Sequence, residues 1–375
     1  MRLHLHLTSS CNLRCSYCFT PPAYSEPMSE AVAFRALDLG WREAQGPLSV
    51  VFTGGEPLLA KGLIQSIVHR GREMAQQGGP KIAFRVVTNG LLLDEPFLTW
   101  AAAQGVRFGM SYDGVQAAQD AHRLLPDRTS SWALVQWRLR QLLHGDRRAA
   151  VLLTLTPQTV GHLERSVAEL LRAGARYLVV TPSLADAWGE AALEVLGQQL
   201  EGVARRYLER ARKGKAFYFS PFELHCTQTD PENPRCIYHY PPLEVGVDVL
   251  AVDPAGFVFP GSVFVAKGPA SRWCLGDVFG GISERLRRQI SAEARAFAQR
   301  DELPIRGLSA TRCASLRWIS VGSFDALGEA ALAYDAVHLP IADRVRASML
   351  EEGLRPLSPE GEFPLEEQLS IAGPF

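Results

Sequence analysis

Short apolar runs alternating with amphipathic stretches fill the first half of the chain. The runs fall at 3–7, 48–52, 82–87, 106–110, 150–155 and 177–180. Turn-forming residues bound them, such as Thr53-Gly54-Gly55-Glu56-Pro57, Thr88-Asn89-Gly90 and Ser111-Tyr112-Asp113-Gly114. Between the runs, residues 29–45, 63–75, 95–104, 131–143 and 163–172 have helical spacing. Six strand–helix units in series predict a parallel sheet with right-handed crossovers. A partial barrel and an open doubly wound sheet both satisfy this pattern, and in either one ligands sit at the carboxyl ends of the strands.

In the first run, Arg2, His4 and His6 share one face, and Leu3, Leu5 and Leu7 share the other. Helices cover the outside of a barrel, so the leucines are expected outward and the histidines inward. The histidines then either face substrate or form a hydrogen-bonded structural pair.

A polar helical stretch at 190–213 ends the alternation. Residues 216–278 hold prolines, scattered cysteines and a predicted hairpin, with arms at 245–252 and 257–264 joined through Asp253-Pro254-Ala255-Gly256. Helices are expected at 282–299 and 326–351, and loop from 356 onward.

Composition narrows the class. The chain has 375 residues, 47% hydrophobic and 21% charged, with a formal net charge of -1. That is enough apolar material for a barrel plus an appendage, and it excludes disorder as a description of the whole. The balanced charge gives no footprint for nucleic acid or an anionic membrane. No apolar run approaches the roughly 18 residues of a membrane span. The opening MRLHLHLTSSC is a strand pattern rather than a signal peptide, so a cytoplasmic, thiol-reducing setting is expected. Seven cysteines in that setting read first as metal ligands or reactive thiols.

Cys11, Cys15 and Cys18 follow the first strand with C-x3-C-x2-C spacing. Three thiolates on one loop can hold three irons of a [4Fe–4S] cube and leave the fourth iron open. A zinc site lacking a fourth ligand, or three ordinary cysteines, are the alternatives. The other strand-end turns would face the same end of a barrel. Gly54 and Gly55 there would let backbone approach a ligand closely, and Glu56 could bind an ammonium or polar group.

With Cys11-Asn12-Leu13-Arg14-Cys15-Ser16-Tyr17-Cys18 and Gly54-Gly55-Glu56-Pro57, the sequence resembles radical S-adenosylmethionine (radical SAM) enzymes over about residues 1–185. The resemblance implies an α/β fold: a partial (β/α)6 barrel with a smaller C-terminal α+β auxiliary domain. The expected divisions are 1–188 for the barrel, 189–215 for a connecting helix, 216–320 for the auxiliary domain and 321–375 for a helix and tail. It also implies a [4Fe–4S] cluster on Cys11, Cys15 and Cys18, whose open iron takes the amino and carboxylate groups of SAM. Gly54, Gly55 and Glu56 are expected at the methionyl amine, with Thr88, Asn89 and Ser111 as further SAM contacts. In such enzymes one electron cleaves SAM to methionine and a 5′-deoxyadenosyl radical, which takes hydrogen from an unactivated C–H bond.

Ser111-Tyr112-Asp113-Gly114 with Asp120 and Arg123 resembles the SLDG…D…R stretch of anaerobic sulfatase-maturating enzymes and peptide maturases, with Tyr112 in place of Leu. Asp113 also reads as a turn aspartate holding its own backbone. The hairpin and Leu275-Gly276-Asp277-Val278 resemble the SPASM or twitch auxiliary domains. The family pattern would put a cysteine at 261, where this chain has Gly261, and the later cysteine run is reduced to Cys313. Cys226, Cys236, Cys274 and Cys313 remain, the number one auxiliary [4Fe–4S] cluster requires. A zinc site on the same four, or no site at all, are the alternatives. Tyr238-His239-Tyr240 offers a proton donor, a substrate contact or simple packing. The expected function is hydrogen abstraction from a peptide or protein side chain, giving a crosslink, oxidation or epimerisation. The electron would come from a donor such as flavodoxin or ferredoxin. Small-molecule dehydrogenation or rearrangement is the alternative, and a non-catalytic iron–sulfur protein is a second.

Overall fold

The computed structural model describes residues 1–18, 20, 26–222, 245–298, 314–326, 328–355 and 357. Six parallel strands form its centre. They are β1 (Arg2–Thr8), β3 (Leu48–Gly54), β4 (Ile82–Thr88), β5 (Val106–Ser111), β7 (Ala150–Leu155) and β8 (Tyr177–Pro182), side by side in that order. Two further strands, β2 (Arg14–Cys15) and β6 (Arg123–Leu124), form a separate antiparallel pair. The crossovers carry α1 (Glu30–Glu43), α2 (Lys61–Gln76), α3 (Glu95–Ala103), α4 (Gln116–His122), α5 (Trp132–Gly145) and α6 (Leu163–Arg172). The long polar stretch is α7 (Glu190–Arg212). This is the partial barrel that the resemblance implied, one of the two folds the alternation allowed.

The helix starts follow side-chain chemistry. Ser29 Oγ accepts from Val32 N–H at 3.3 Å to cap α1, and Asp94 Oδ1 accepts from Phe97 N–H at 2.9 Å to cap α3. The helices then lie on the outer face of the sheet. A Cβ on Gly40 of α1 would lie 2.8 Å from Leu3, and one on Gly71 of α2 only 2.5 Å from Phe84. Leu3, Leu5 and Leu7 are fully buried on this outer side. Emptying one of them to Ala would cost about 2–5 kcal/mol. The inner face has its own apolar cluster, Ala150, Leu152, Tyr177, Val179 and Tyr218, with Val87 against it.

Beyond α7 the sheet continues rather than starting afresh. At one end, β9 (Tyr218–Phe219) pairs parallel with β8. At the other, β10 (Val249–Val252) pairs parallel with β1, and β11 (Phe257–Phe259), β12 (Gly276–Asp277) and β13 (Gly281–Ile282) follow antiparallel. The hairpin arms are shorter than the sequence suggested. Pro260 cannot donate to a ladder, and the residues after Gly261 coil into a 3-10 turn, Ser262–Lys267. Among the described residues the remaining helices are Glu284–Ala298, Ala314–Val321 and Glu329–Glu351, the last continuing through Pro340. Among the described residues no helix is long and apolar enough to cross a membrane.

Candidate functional site

After β1 ends at Thr8, the chain enters the loop that carries Cys11, Cys15 and Cys18. That loop sits on the end of β3. Gly55 N–H donates to Thr8 O at 2.7 Å, and Glu56 N–H to Ser10 O at 2.9 Å. A Cβ on Gly54 would meet Thr8 O at 2.3 Å, and one on Gly55 would meet Ser10 O at 2.2 Å. Gly54 also has φ 121°, a value that favours glycine. The two glycines thus allow the close approach of the cysteine loop to the end of β3.

Glu56 is fully buried. Its Oε1 accepts from Leu58 N–H at 3.0 Å and from the Thr88 hydroxyl at 2.7 Å, and its Oε2 accepts from Asn89 N–H at 2.8 Å. Burial pushes this carboxyl up to about 7, against the pull of those donors. The Thr88 hydroxyl also accepts from Gly90 N–H at 3.0 Å. The carboxylate ties the ends of β3 and β4 together. Asn89 carries that tie to the cysteine loop. Its Nδ2 donates to Asn12 Oδ1 at 2.8 Å and points at Cys11 Sγ from 3.7 Å. Ser111 is half-buried at the end of β5, the next strand along.

The other side of the loop is held by residues 113–124. β2 pairs with β6 in a register that sets Cys15 opposite Arg123. Asp113 is 4% exposed and Arg123 is 6% exposed. Arg123 Nε donates to Asp113 Oδ2 at 2.8 Å, and the Tyr17 hydroxyl donates to the same oxygen at 2.7 Å. Thr154 N–H donates to Asp113 Oδ1 at 2.9 Å. The reading of Asp113 as a turn aspartate serving its own backbone is therefore corrected: it joins the cysteine loop to β6 and β7. Removing one partner of such a buried pair costs about 3–5 kcal/mol. His122 adds a second link, with Nδ1 2.6 Å from Ser16 Oγ and Nε2 2.9 Å from Thr156 Oγ1.

The sequence reading missed His122, Thr156 and the joint role of Tyr17 with Asp113. Tyr17 and Arg123 lay within noted motifs, but nothing in the spacing shows that they meet.

The donor set suits an iron–sulfur cube. Cys11 and Cys15 are half-buried and Cys18 is exposed. Burial raises the Cys11 thiol and pushes the Cys15 thiol up to about 11, so a metal must displace protons there. Leu13 N–H, 3.4 Å from Cys11 Sγ, and Asn89 Nδ2 are dipoles turned to favour a thiolate. Among the described residues no three His, Cys, Asp or Glu side chains are set to hold one metal ion. A cube spreads its thiolates over separate irons and does not need them to converge on one point.

His6, on the inner face of β1, has Nε2 2.7 Å from Ser262 Oγ. Burial pushes this histidine down to about 4. It is neutral at ordinary pH and ties the barrel to the turn after the hairpin. Of the four cysteines expected at an auxiliary cluster, Cys274 is half-buried, with Sγ 3.4 Å from Gly276 O. Cys226, Cys236 and Cys313 lie outside the described residues, as do Tyr238, His239 and Tyr240.

Comparison with known proteins agrees with this geometry. Residues 5–170 match the family model of the Radical SAM superfamily. The chain is 25% identical over 230 residues to the serine-type anaerobic sulfatase-maturating enzyme of Klebsiella aerogenes, covering 56% of this chain and 54% of that one. It is 31% identical over 133 residues to the GTP 3',8-cyclase of Corynebacterium glutamicum, covering 34% and 35%. The chain thus spans about half the length, or less, of the curated relatives it matches. The solved structure of native anSMEcpe with bound AdoMet superposes with TM-score 0.73 at 17% identity, covering 93% of this chain and 99% of that one. Streptococcus suis SuiB bound to its precursor peptide SuiA gives TM-score 0.58 at 12% identity, covering 88% and 75%. At these identities the likeness is one of fold.

Proposed function

We propose that this chain, through its radical SAM domain, modifies a side chain of a peptide or protein, with Cys11, Cys15 and Cys18 each binding one iron of a [4Fe–4S] cluster. One observation carries the reading. The cysteine loop stands at the carboxyl ends of the parallel strands, seated on Gly54-Gly55-Glu56 and braced by residues 113–124. The cluster and SAM, when bound, supply a 5′-deoxyadenosyl radical able to take hydrogen from a C–H bond.

The chain's own residues do the rest. Gly54, Gly55, Asn89 and Ser111 line the strand ends where SAM is expected. Glu56 and Thr88 hold that rim in shape through their mutual hydrogen bond. Leu152, Tyr177, Val179 and Tyr218 make an apolar patch on β7, β8 and β9.

A peptide substrate is supported by the sulfatase-maturating relatives and by the shared fold with SuiB, which was solved with a precursor peptide. The cyclase likeness, higher in identity but over a third of the chain, favours a second reading: a small molecule. We further assign the divisions 1–188, 189–215, 216–320 and 321–375, and one auxiliary [4Fe–4S] cluster on Cys226, Cys236, Cys274 and Cys313. Flavodoxin or ferredoxin is the proposed electron donor.

Anaerobic reconstitution followed by reduction should give SAM-dependent 5′-deoxyadenosine. Replacing Cys11, Cys15 and Cys18 together by Ala should abolish it, and persistent cleavage would refute the assignment. Deuterium transfer into 5′-deoxyadenosine from labelled peptide, and not from labelled nucleotide, selects the peptide reading.

A further inference from the structure

We propose that Asp113 and Arg123 are a charge-balanced pair of positioning residues that sets the potential at which the cluster on the cysteine loop accepts its electron. Arg123 supplies positive charge beside Cys15, and Asp113 limits it. The inference rests on the reading that Cys11, Cys15 and Cys18 hold a cluster.

The placement is specific. Arg123 is the residue paired with Cys15 across the short β2–β6 ladder. Its guanidinium carbon lies 5.2 Å from the centre of the Tyr17 ring, between two of the cysteines in sequence. Both charged groups are almost entirely out of water, so neither is screened as a surface charge would be. Burial alone would weaken the arginine's hold on its proton, but the Asp113 carboxylate beside it restores that hold. The guanidinium is therefore a permanent charge.

Reduction adds one negative charge to a cluster, so a fixed cation nearby makes reduction easier and a fixed anion makes it harder. Asp113 is pinned by donors from Arg123, Tyr17 and Thr154 and has no freedom to swing away. The two opposed charges thus act on the loop from fixed positions. A purely mechanical brace would also need both residues, but it would not care about the sign of their charge.

The test uses the full chain, reconstituted anaerobically. Iron content is measured first, and the midpoint potential follows from dye-mediated titration at pH 8 read by electron paramagnetic resonance. Asp113→Asn leaves Arg123 unopposed and should move the midpoint positive. Asp113→Asn combined with Arg123→Gln removes both charges and should return it toward the wild-type value. Tyr17→Phe removes a hydrogen bond but no charge and should leave it nearly unchanged. An unmoved midpoint in Asp113→Asn, or equal displacement in the single and double variants, overturns the proposal.

If Asp113→Asn does not hold a cluster, Arg123→Lys and Arg123→Gln decide. Lys should keep the midpoint and Gln should lower it, and equal values overturn the proposal. Wild-type iron content that survives loss of the three cysteines would instead defeat the cluster assignment on which the pair depends.

Discussion

Glu56→Gln tests the account of the barrel rim most directly. The wild-type carboxyl is held near 7 by burial, against an ordinary value of 4.5. A carboxyl raised in this way binds its proton more readily folded than unfolded. Its contribution to stability is complete below about pH 4.5 and is lost as pH rises through 7, a change of roughly 3 kcal/mol. The amide cannot titrate and shows no such loss. Its oxygen can still serve Leu58 N–H and the Thr88 hydroxyl, but its NH2 is set against Asn89 N–H. That leaves a buried donor unpaired, at about 1–3 kcal/mol at every pH. The variant should therefore be the less stable protein at pH 5, with the gap closing by roughly 3 kcal/mol toward pH 8. Anaerobic urea denaturation at matched iron content, at four pH values between 5 and 8, measures it. A gap that stays constant across that range would refute the reasoning. SAM affinity should fall in step with stability, because Glu56 acts through Thr88 and Asn89.

Three further outcomes are expected. Gly55→Ala drives a Cβ to 2.2 Å from Ser10 O, so the cysteine loop must lift, and iron bound per chain should drop well below wild type while far-ultraviolet circular dichroism is kept. In the protein lacking Cys11, Cys15 and Cys18, about four irons should remain on the auxiliary site and vanish when Cys274→Ser is added; iron that is unaffected by Cys274→Ser removes that residue from the ligand set. His6, held down to about 4 against an ordinary 6.5, contributes stability that is present above pH 6.5 and lost as pH falls toward 4, by roughly 3 kcal/mol. His6→Gln should abolish that part of the acid loss in denaturation at pH 5 compared with pH 7, and an identical loss in both proteins would count against it.

The barrel was legible because its signals are local. Each central strand is a run of apolar residues closed by turn chemistry, and each helix repeats its apolar face. The β2–β6 ladder gave no such signal. Two residues cannot show a period, and their pairing depends on where β1 and β5 release the chain. For the same reason Asp113, Tyr17 and Arg123 could be noticed one by one but not as a unit. Glu56 was read from its motif, whereas its hydrogen-bond partners Thr88 and Asn89 come from the end of the neighbouring strand, and only the adjacency of β3 and β4 brings them together. The hairpin arms were overextended because Val263, Phe264 and Val265 look like strand. They are buried in a 3-10 turn after Gly261 instead. The helix through Pro340 runs against propensity, with Tyr334, His338, Ile341 and Val345 all buried along it.

The parallel pairing of β10 with β1 has a consequence for how the protein is made. Arg2 is matched with Val249, so β1 leaves the ribosome long before the strand it pairs with. At about 5–20 residues per second that wait is on the order of tens of seconds. Until then one edge of β1 offers unpaired backbone groups to any extended segment nearby. Contacts this distant in sequence also slow the search for the native arrangement. The nascent chain should therefore depend on chaperones during synthesis. A version permuted to begin just before β10, which lets the two strands meet early, should fold faster and aggregate less at the same final stability.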